Sequence, residues 1–188
     1  MKTLLIALAL FVSIASPSFA QQLTYRVLAT SKTSTMQKEM QEAGDAGFRF
    51  VAAMGGETSI GGKEVVVLME KGPGATERYE YRVQATTKTS TLQKELQEAG
   101  DAGFEVVGQT VFESTFGGKE TAAVLQRSAA SAKGARFEYK LAATSKTSTL
   151  QKELQELADQ GFEAVGMTVG TTAMGGKELV VITRRKAK

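Results

Sequence analysis

Three copies of one unit of about 48 residues fill most of the sequence, and this repetition constrains the fold more than any other feature. Tyr25, Tyr81 and Tyr139 mark equivalent positions, at offsets of 56 and 58 residues. The joints between the copies are small and rich in glycine and serine, as linkers are. We therefore divide the chain into a leader at 1–20, repeat units at 21–72, 79–128 and 137–188, and linkers at 73–78 and 129–136.

Each unit shows the hydrophobic pattern of one strand, one helix and two further strands. It begins with an alternating stretch such as YRVLA, which indicates a strand. An apolar stripe at i, i+4 and i+7 then indicates an amphipathic helix. The stripe residues are Met36, Met40 and Ala43 in unit 1, Leu92, Leu96 and Ala99 in unit 2, and Leu150, Leu154 and Leu157 in unit 3. Two β-rich stretches around a glycine-rich turn, such as FEVVGQTV and KETAAVLQ, indicate a hairpin.

The fold class predicted from this order is α+β, with three tandem β-α-β-β repeats. One unit buries little apolar surface, so we expect the three to pack together, with approximate threefold pseudo-symmetry as one arrangement. Separate units along a string are the alternative. Within a unit, we expect the first strand and the strand after the helix to be parallel neighbours, with the third strand antiparallel at one side.

The segment SKTSTLQKELQE and its two near-copies predict the start of a helix. Ser34 with Gln37, like the equivalent pairs of units 2 and 3, fits a capping box. Lys38 and Glu42 have the spacing of a stabilising i,i+4 pair. The left-handed residues that end the three helices are predicted to be Gly47, Gly103 and Gly161.

The first twenty residues have the pattern of a secretory signal peptide. Lys2 precedes an apolar run, and Ser18-Phe19-Ala20 provides a small-x-small cleavage site. We therefore expect an exported protein, periplasmic or extracellular, whose cleavable signal peptide ends at Ala20. The apolar run is too short to span a bilayer, so no membrane span is expected.

The charge of the processed chain is close to balanced, which argues against nucleic acid as a partner. Once Lys2 is removed, 22 basic and 20 acidic residues remain, and the excess lies in the terminal RRKAK. A short basic tail is usually a solvated end, whereas nucleic-acid binding requires a basic face. The partner is otherwise unknown, with an envelope protein or polymer as the expected class.

Several catalytic chemistries are excluded because the sequence contains neither histidine nor cysteine. Imidazole-based triads, histidine metal sites and thiolate catalysis all need one of them. The recurring carboxylates lie on the outer face of each helix, where carboxylates are ordinarily solvated. They are Glu39, Glu42, Asp45, Glu95, Glu98, Asp101, Glu153, Glu156 and Asp159. GGETSIGGKE lacks the spacing of a phosphate loop, and we predict no catalytic residue, no cofactor and no metal.

One candidate binding site remains, at the helix starts. A lysine and hydroxyl groups beside free N–H groups suit an anion, although a solvated helix start explains the same residues. Threefold packing would gather the three copies into one multivalent site. The candidate anion-binding residues are Lys32, Thr33, Ser34, Lys88, Thr89, Ser90, Lys146, Thr147 and Ser148.

The stretches EYRV and EYKL, the L-x-x-x-L helix and the following AGFEVV resemble a small bacterial family, domain of unknown function 4177. Its units have Y-E-Y-K-V, then a leucine helix, then G-W-E-L-V, so the resemblance covers nearly all of the processed chain, once per unit. Phe48, Phe104 and Phe162 stand where that family usually has tryptophan, and the glycine-rich hairpin is longer. The resemblance implies a compact β-α-β-β unit and no particular activity.

From these features we expect a non-catalytic binding or scaffold module of the cell envelope. One alternative is an enzyme that acts through the carboxylates or through Lys32, Lys88 and Lys146. The other is a secreted inhibitor whose contact loops are the hairpins GGETSIGG, FESTFGG and TTAMGG.

Overall fold

The computed structural model describes residues 22–58, 62–113, 119–131, 135–171 and 176–187. Unit 1 comprises β1 (Thr24–Thr30), α1 (Thr33–Asp45), β2 (Arg49–Thr58) and β3 (Gly62–Lys71). Unit 2 comprises β4 (Tyr79–Thr86), α2 (Thr89–Asp101), β5 (Glu105–Glu113) and β6 (Lys119–Ser128). Unit 3 comprises β7 (Phe137–Thr144), α3 (Thr147–Asp159), β8 (Glu163–Thr171) and β9 (Lys177–Lys186). The three tandem α+β units predicted from the repeat are confirmed.

Each unit forms its own three-stranded antiparallel sheet, with strand orders β1-β3-β2, β4-β6-β5 and β7-β9-β8. The last strand of each unit therefore lies in the middle, between the other two. The expected pairing of the first strand with the strand after the helix was wrong. The hairpin pairs the second strand of the unit with the third. The other edge of the third strand is then free to pair with the first strand, so the sheet needs no parallel pair.

The helices begin two residues earlier than the predicted capping box requires. Lys32 is the residue before α1, its backbone is extended, and its side chain makes no capping hydrogen bond. The predicted capping box was therefore wrong, because Ser34 lies inside the first turn. The hydroxyl of Thr30 instead accepts the N–H of Lys32 at 3.2 Å, and units 2 and 3 repeat this contact.

The helix ends follow the prediction. Gly47 has a φ of 86° and donates its N–H to the Gly44 carbonyl at 2.9 Å, while Phe48 donates to the Ala43 carbonyl at 2.9 Å. This is a Schellman motif, which requires a left-handed residue. Gly103 and Gly161 have φ values of 83° and 82°. The i,i+4 pair Lys38–Glu42 is also present, at 3.9 Å.

The hydrophobic cores join the units. Met36 and Met40 of α1 are buried in one cluster with Tyr81 and Phe112 of unit 2. Residues of α2 share a second cluster with Phe137, Tyr139 and Ile182 of unit 3. Separate units on a string are thereby excluded, because both of these cores cross a unit boundary.

The succession of units is open. α1 packs on β4, and α2 packs on β7, while β2 lies beside β5 and β5 beside β8. A closed threefold ring would also place α3 on β1, but Tyr25 of β1 is 57% exposed. Two ends therefore remain, namely the outer side of β1 and the outer side of α3.

The basic C-terminal run belongs to the sheet. Arg184 and Arg185 lie in β9 and are partly buried. Arg184 bonds Glu105 of unit 2 at 2.9 Å and Glu163 at 2.7 Å, and Arg185 bonds Glu138 at 2.6 Å. The interpretation of this run as a solvated tail was wrong for these two arginines, because three carboxylates neutralise them.

Candidate functional site

The side chains that join unit 1 to unit 2 are two glutamines of α1. Gln37 donates to the carbonyl of Tyr81 at 2.8 Å and accepts the N–H of Val83 at 2.7 Å. Gln41 accepts the N–H of Tyr81 at 3.0 Å and donates to the carbonyl of Tyr79 at 3.4 Å. The helix thus satisfies backbone groups along the free edge of β4, as a further strand would.

The same arrangement joins unit 2 to unit 3. Gln93 donates to the Tyr139 carbonyl at 2.8 Å and accepts the N–H of Leu141 at 2.9 Å. Gln97 accepts the N–H of Tyr139 at 3.1 Å and donates to the Phe137 carbonyl at 3.3 Å. Two independent junctions therefore use one geometry, in which a helix with glutamines at i and i+4 covers a strand edge.

A glycine one turn further along the helix allows this close approach. Gly44 and Gly100 are buried, and a Cβ on either one would lie 2.9 Å from ring carbons of Tyr81 or Tyr139 and still closer to the carbonyl of Tyr79 or Phe137. The docking helix therefore has the pattern Gln-x-x-x-Gln-x-x-Gly. We call this the clamp pattern.

The tyrosines of the covered strands are buried and hydrogen-bonded. The hydroxyl of Tyr139 donates to the Phe104 carbonyl at 2.9 Å and accepts the N–H of Val106 at 2.8 Å. Burial raises the pKa of Tyr139 to about 12, although the hydrogen bond from Val106 acts in the opposite direction. Burial also raises the pKa of Tyr81. Both phenols thus fix the register of the docked strand.

The first strand of the chain keeps this surface but has no helix on it. Leu23, Tyr25 and Val27 are 50%, 57% and 64% exposed, whereas the equivalent Tyr81 and Tyr139 are each 2% exposed. Among the described residues, β1 pairs with β3 alone. By the register of β4, the N–H and C=O of Tyr25 and the N–H of Val27 face outward, and no partner for them occurs in the described ranges. We call this surface, defined by Leu23, Tyr25 and Val27, the β1 edge.

The predicted anion-binding residues lie at three separate places. Lys32, Lys88 and Lys146 each precede a different helix, and these helices pack on different sheets. Lys88 and Thr89 line a narrow cleft with Glu178 of unit 3. Ser34 lines an open groove with the carboxylates of Glu39 and Glu42. Anion binding stays a prediction, and the open succession does not gather the lysines into one site.

The other candidates are placed as follows. Phe48, Phe104 and Phe162 are buried, as expected of core residues. No group of three or more acidic side chains that would hold a metal ion occurs in the part of the chain that the structure describes. The tips of the three proposed inhibitor hairpins, at 59–61, 114–118 and 172–175, lie outside the described residues.

The sequence patterns did not predict the β1 edge. Two signals in the helices nevertheless mark the face that covers the equivalent edges of β4 and β7. Gln37, Gln41 and Gly44 repeat the spacing of the apolar stripe one position further on, which marks a second contact face on the helix. The third copy departs from this face, with Ala158 where the others have glycine.

Comparison of the chain with protein-family models, with curated proteins and with solved structures gave no match. Among the described residues, no helix is both long and apolar enough to cross a membrane.

Proposed function

We propose that this chain is an exported, non-catalytic binding or scaffold module of the cell envelope, and that its binding surface is the β1 edge. The bound element is an amphipathic helix of a partner protein. Export rests on the signal-peptide pattern at 1–20, and the membership of the family named above stays a prediction.

The observation that supports this proposal is the difference between β1 and its two counterparts. The edges of β4 and β7 are each covered by a helix that bonds their backbone groups and buries their tyrosine. The β1 edge keeps the tyrosine, a β-branched residue and the outward backbone groups, and exposes all of them. Exposed apolar side chains on an unpaired strand edge are typical of a binding surface.

The chemistry of the occupant follows from the two internal junctions. Glutamine provides both a donor and an acceptor, so one side chain satisfies a C=O and an N–H of the same edge. Two glutamines one turn apart cover about three residues of strand. The partner helix therefore carries glutamines at i and i+4 beside an apolar stripe, and its fit depends on hydrogen bonds as well as apolar burial.

A peptide taken from the chain itself tests the proposal. Residues 87–104 contain α2, and a lactam between Lys94 and Glu98, which are exposed and 3.7 Å apart, would hold the peptide helical without touching the clamp face. We expect saturable binding to the processed chain 21–188, measured by calorimetry, with amide chemical-shift changes centred on Tyr25 and Val27.

The controls separate the β1 edge from other apolar surface. Tyr25→Ala in the chain, or Gln93→Ala with Gln97→Ala in the peptide, is expected to remove binding. Met167→Ala, at a side chain that is 67% exposed on β8, is expected to leave it unchanged. The absence of shifts at β1, or equal binding by all variants, would refute the proposal.

A further inference from the structure

The third helix of a second copy is the nearest candidate to occupy the β1 edge. α3 has Gln151 and Gln155 at the clamp positions, and both are exposed. Gln155 donates to Asp159 at 3.0 Å, as Gln41 does to Asp45 at 2.9 Å, so its side chain is held in a similar way. Head-to-tail docking of α3 on β1 would repeat the internal junctions and would build rings or filaments of copies.

The helix side of that contact is blocked by one methyl group. Gly44 and Gly100 each lie where a Cβ would overlap a carbonyl oxygen of the covered strand. The equivalent residue of α3 is Ala158. Its Cβ would meet the backbone of the β1 segment in the same way, and backbone cannot move aside as a flexible side chain can.

A second methyl group lies on β2, where a strand of a preceding unit would pack beside it. Where β5 lies beside β2, a Cβ on Gly108 would overlap the ring of Phe50. Where β8 lies beside β5, a Cβ on Gly166 would lie 2.8 Å from the Cβ of Gln109. A bulge in each strand makes Ala52 of β2 the counterpart of these glycines. A preceding unit would therefore meet the methyl group of Ala52 at a position where both internal junctions have glycine.

Leu157, the residue before Ala158, also supports the exclusion of a second copy. Ala43 and Ala99 are fully buried beneath the next unit, whereas the corresponding residue of α3 is Leu157. Leu157 packs against the unit's own core of Ala142, Leu150 and Val181. The larger side chain covers part of a core that no following unit covers, as the end repeats of arrays do.

We infer that Ala158 and Ala52 exclude a second copy of this chain from the β1 edge, so that this edge is reserved for a helix of another protein that carries the clamp pattern with glycine. The inference rests on the proposed function. It adds that the edge selects a helix with a glycine seven positions after the first glutamine. It also adds that the edge rejects a second copy of this chain.

Removal of the two methyl groups tests the inference. We expect the processed chain 21–188 to sediment as a monomer at all concentrations, and Ala52→Gly with Ala158→Gly to sediment as a concentration-dependent series of larger species. Circular dichroism checks the fold, since glycine at the exposed position 158 weakens the helix. Adding Gln151→Ala and Gln155→Ala to the double variant is expected to restore the monomer.

A second experiment measures the preference of the unmodified chain for glycine in the bound helix. In the lactam-bridged 87–104 peptide, Gly100→Ala is expected to weaken binding at least about five-fold. Equal binding by both peptides, wild-type self-association that Gln151→Ala and Gln155→Ala abolish, or a monomeric double variant would each overturn the inference. If the glycine peptide still binds at Tyr25 in these cases, the proposed function stands. If no peptide binds and the double variant stays monomeric, both fail.

Discussion

At the scale of single residues, position within the array decides what a repeated side chain does. Tyr25, Tyr81 and Tyr139 occupy equivalent positions of the repeat, yet only the second and third are buried. A tyrosine has a ring that gains from burial and a hydroxyl that then needs a partner. Tyr139 finds both in unit 2, because α2 covers its ring and the start of β5 bonds its hydroxyl.

Tyr139→Phe provides a test at this scale. An unfolded phenol ionises near pH 10, whereas the folded pKa of about 12 keeps Tyr139 neutral for longer. The unfolded state therefore loses its proton first, so this contribution to stability is intact below about pH 10 and is lost as the pH rises to about 12. The slope would be about 1.4 kcal/mol per pH unit for one such group.

We expect Tyr139→Phe to lower the free energy of unfolding at pH 7 by about 1–2 kcal/mol, because the Phe104 carbonyl and the Val106 N–H lose their partner. Between pH 10 and 12 the variant should lose stability less steeply than the wild type. Urea unfolding across this range measures both effects. Equal slopes would show that the phenol does not titrate as its burial implies, and Tyr25→Phe, at an exposed phenol, serves as the control at pH 7.

At the scale of elements, helices and strands were predictable and their partners were not. The stripe Met36, Met40 and Ala43 has the period of a helix, and φ at Gly47 follows from the need to end it, since both are local properties. The strand order depends on which residues bond the backbone N–H and C=O groups along each strand edge. Those residues are distant in sequence, so the pattern of one segment does not reveal them. Gln37 was therefore assigned to its own helix start, whereas it bonds Tyr81 and Val83.

The coverage of a strand edge by a helix predicts unequal effects of equivalent substitutions. Gln93→Ala with Gln97→Ala removes four hydrogen bonds to β7, and we expect the free energy of unfolding to fall by about 1–3 kcal/mol. The matched control is Gln151→Ala with Gln155→Ala, at exposed positions of α3, with an expected change within about 0.5 kcal/mol. Chemical denaturation measures both changes. Equal losses in the free energy of unfolding would contradict the role of Gln93 and Gln97 in holding β7.

At the scale of the whole molecule, the shared cores make three units one cooperative body. Unit 2 supplies Tyr81, Phe112 and Val124 to the core under α1, and unit 3 supplies Phe137, Tyr139 and Ile182 to the core under α2. Ion pairs also cross the boundaries, at Lys63–Glu113 and Arg184–Glu105. Exposed pairs of this kind add little, so the cores are the main link.

We therefore expect a single thermal transition for residues 21–188, with equal calorimetric and van't Hoff enthalpies. Melting of one unit alone would expose part of a core that it shares with its neighbour, so partly folded chains should not accumulate. Two or three resolved transitions in the calorimeter would show instead that the units fold separately despite their shared residues.

The direction of the junctions also orders events while the chain is being made. A helix is completed by a strand that lies further along the chain, since α1 needs β4 and α2 needs β7. A chain that emerges with its N-terminus first therefore presents each helix before its partner strand exists. Among the described residues α3 has no such strand, and Leu157 packs against the core of its own unit. Units 1 and 2 can therefore complete their cores only after the following unit has emerged.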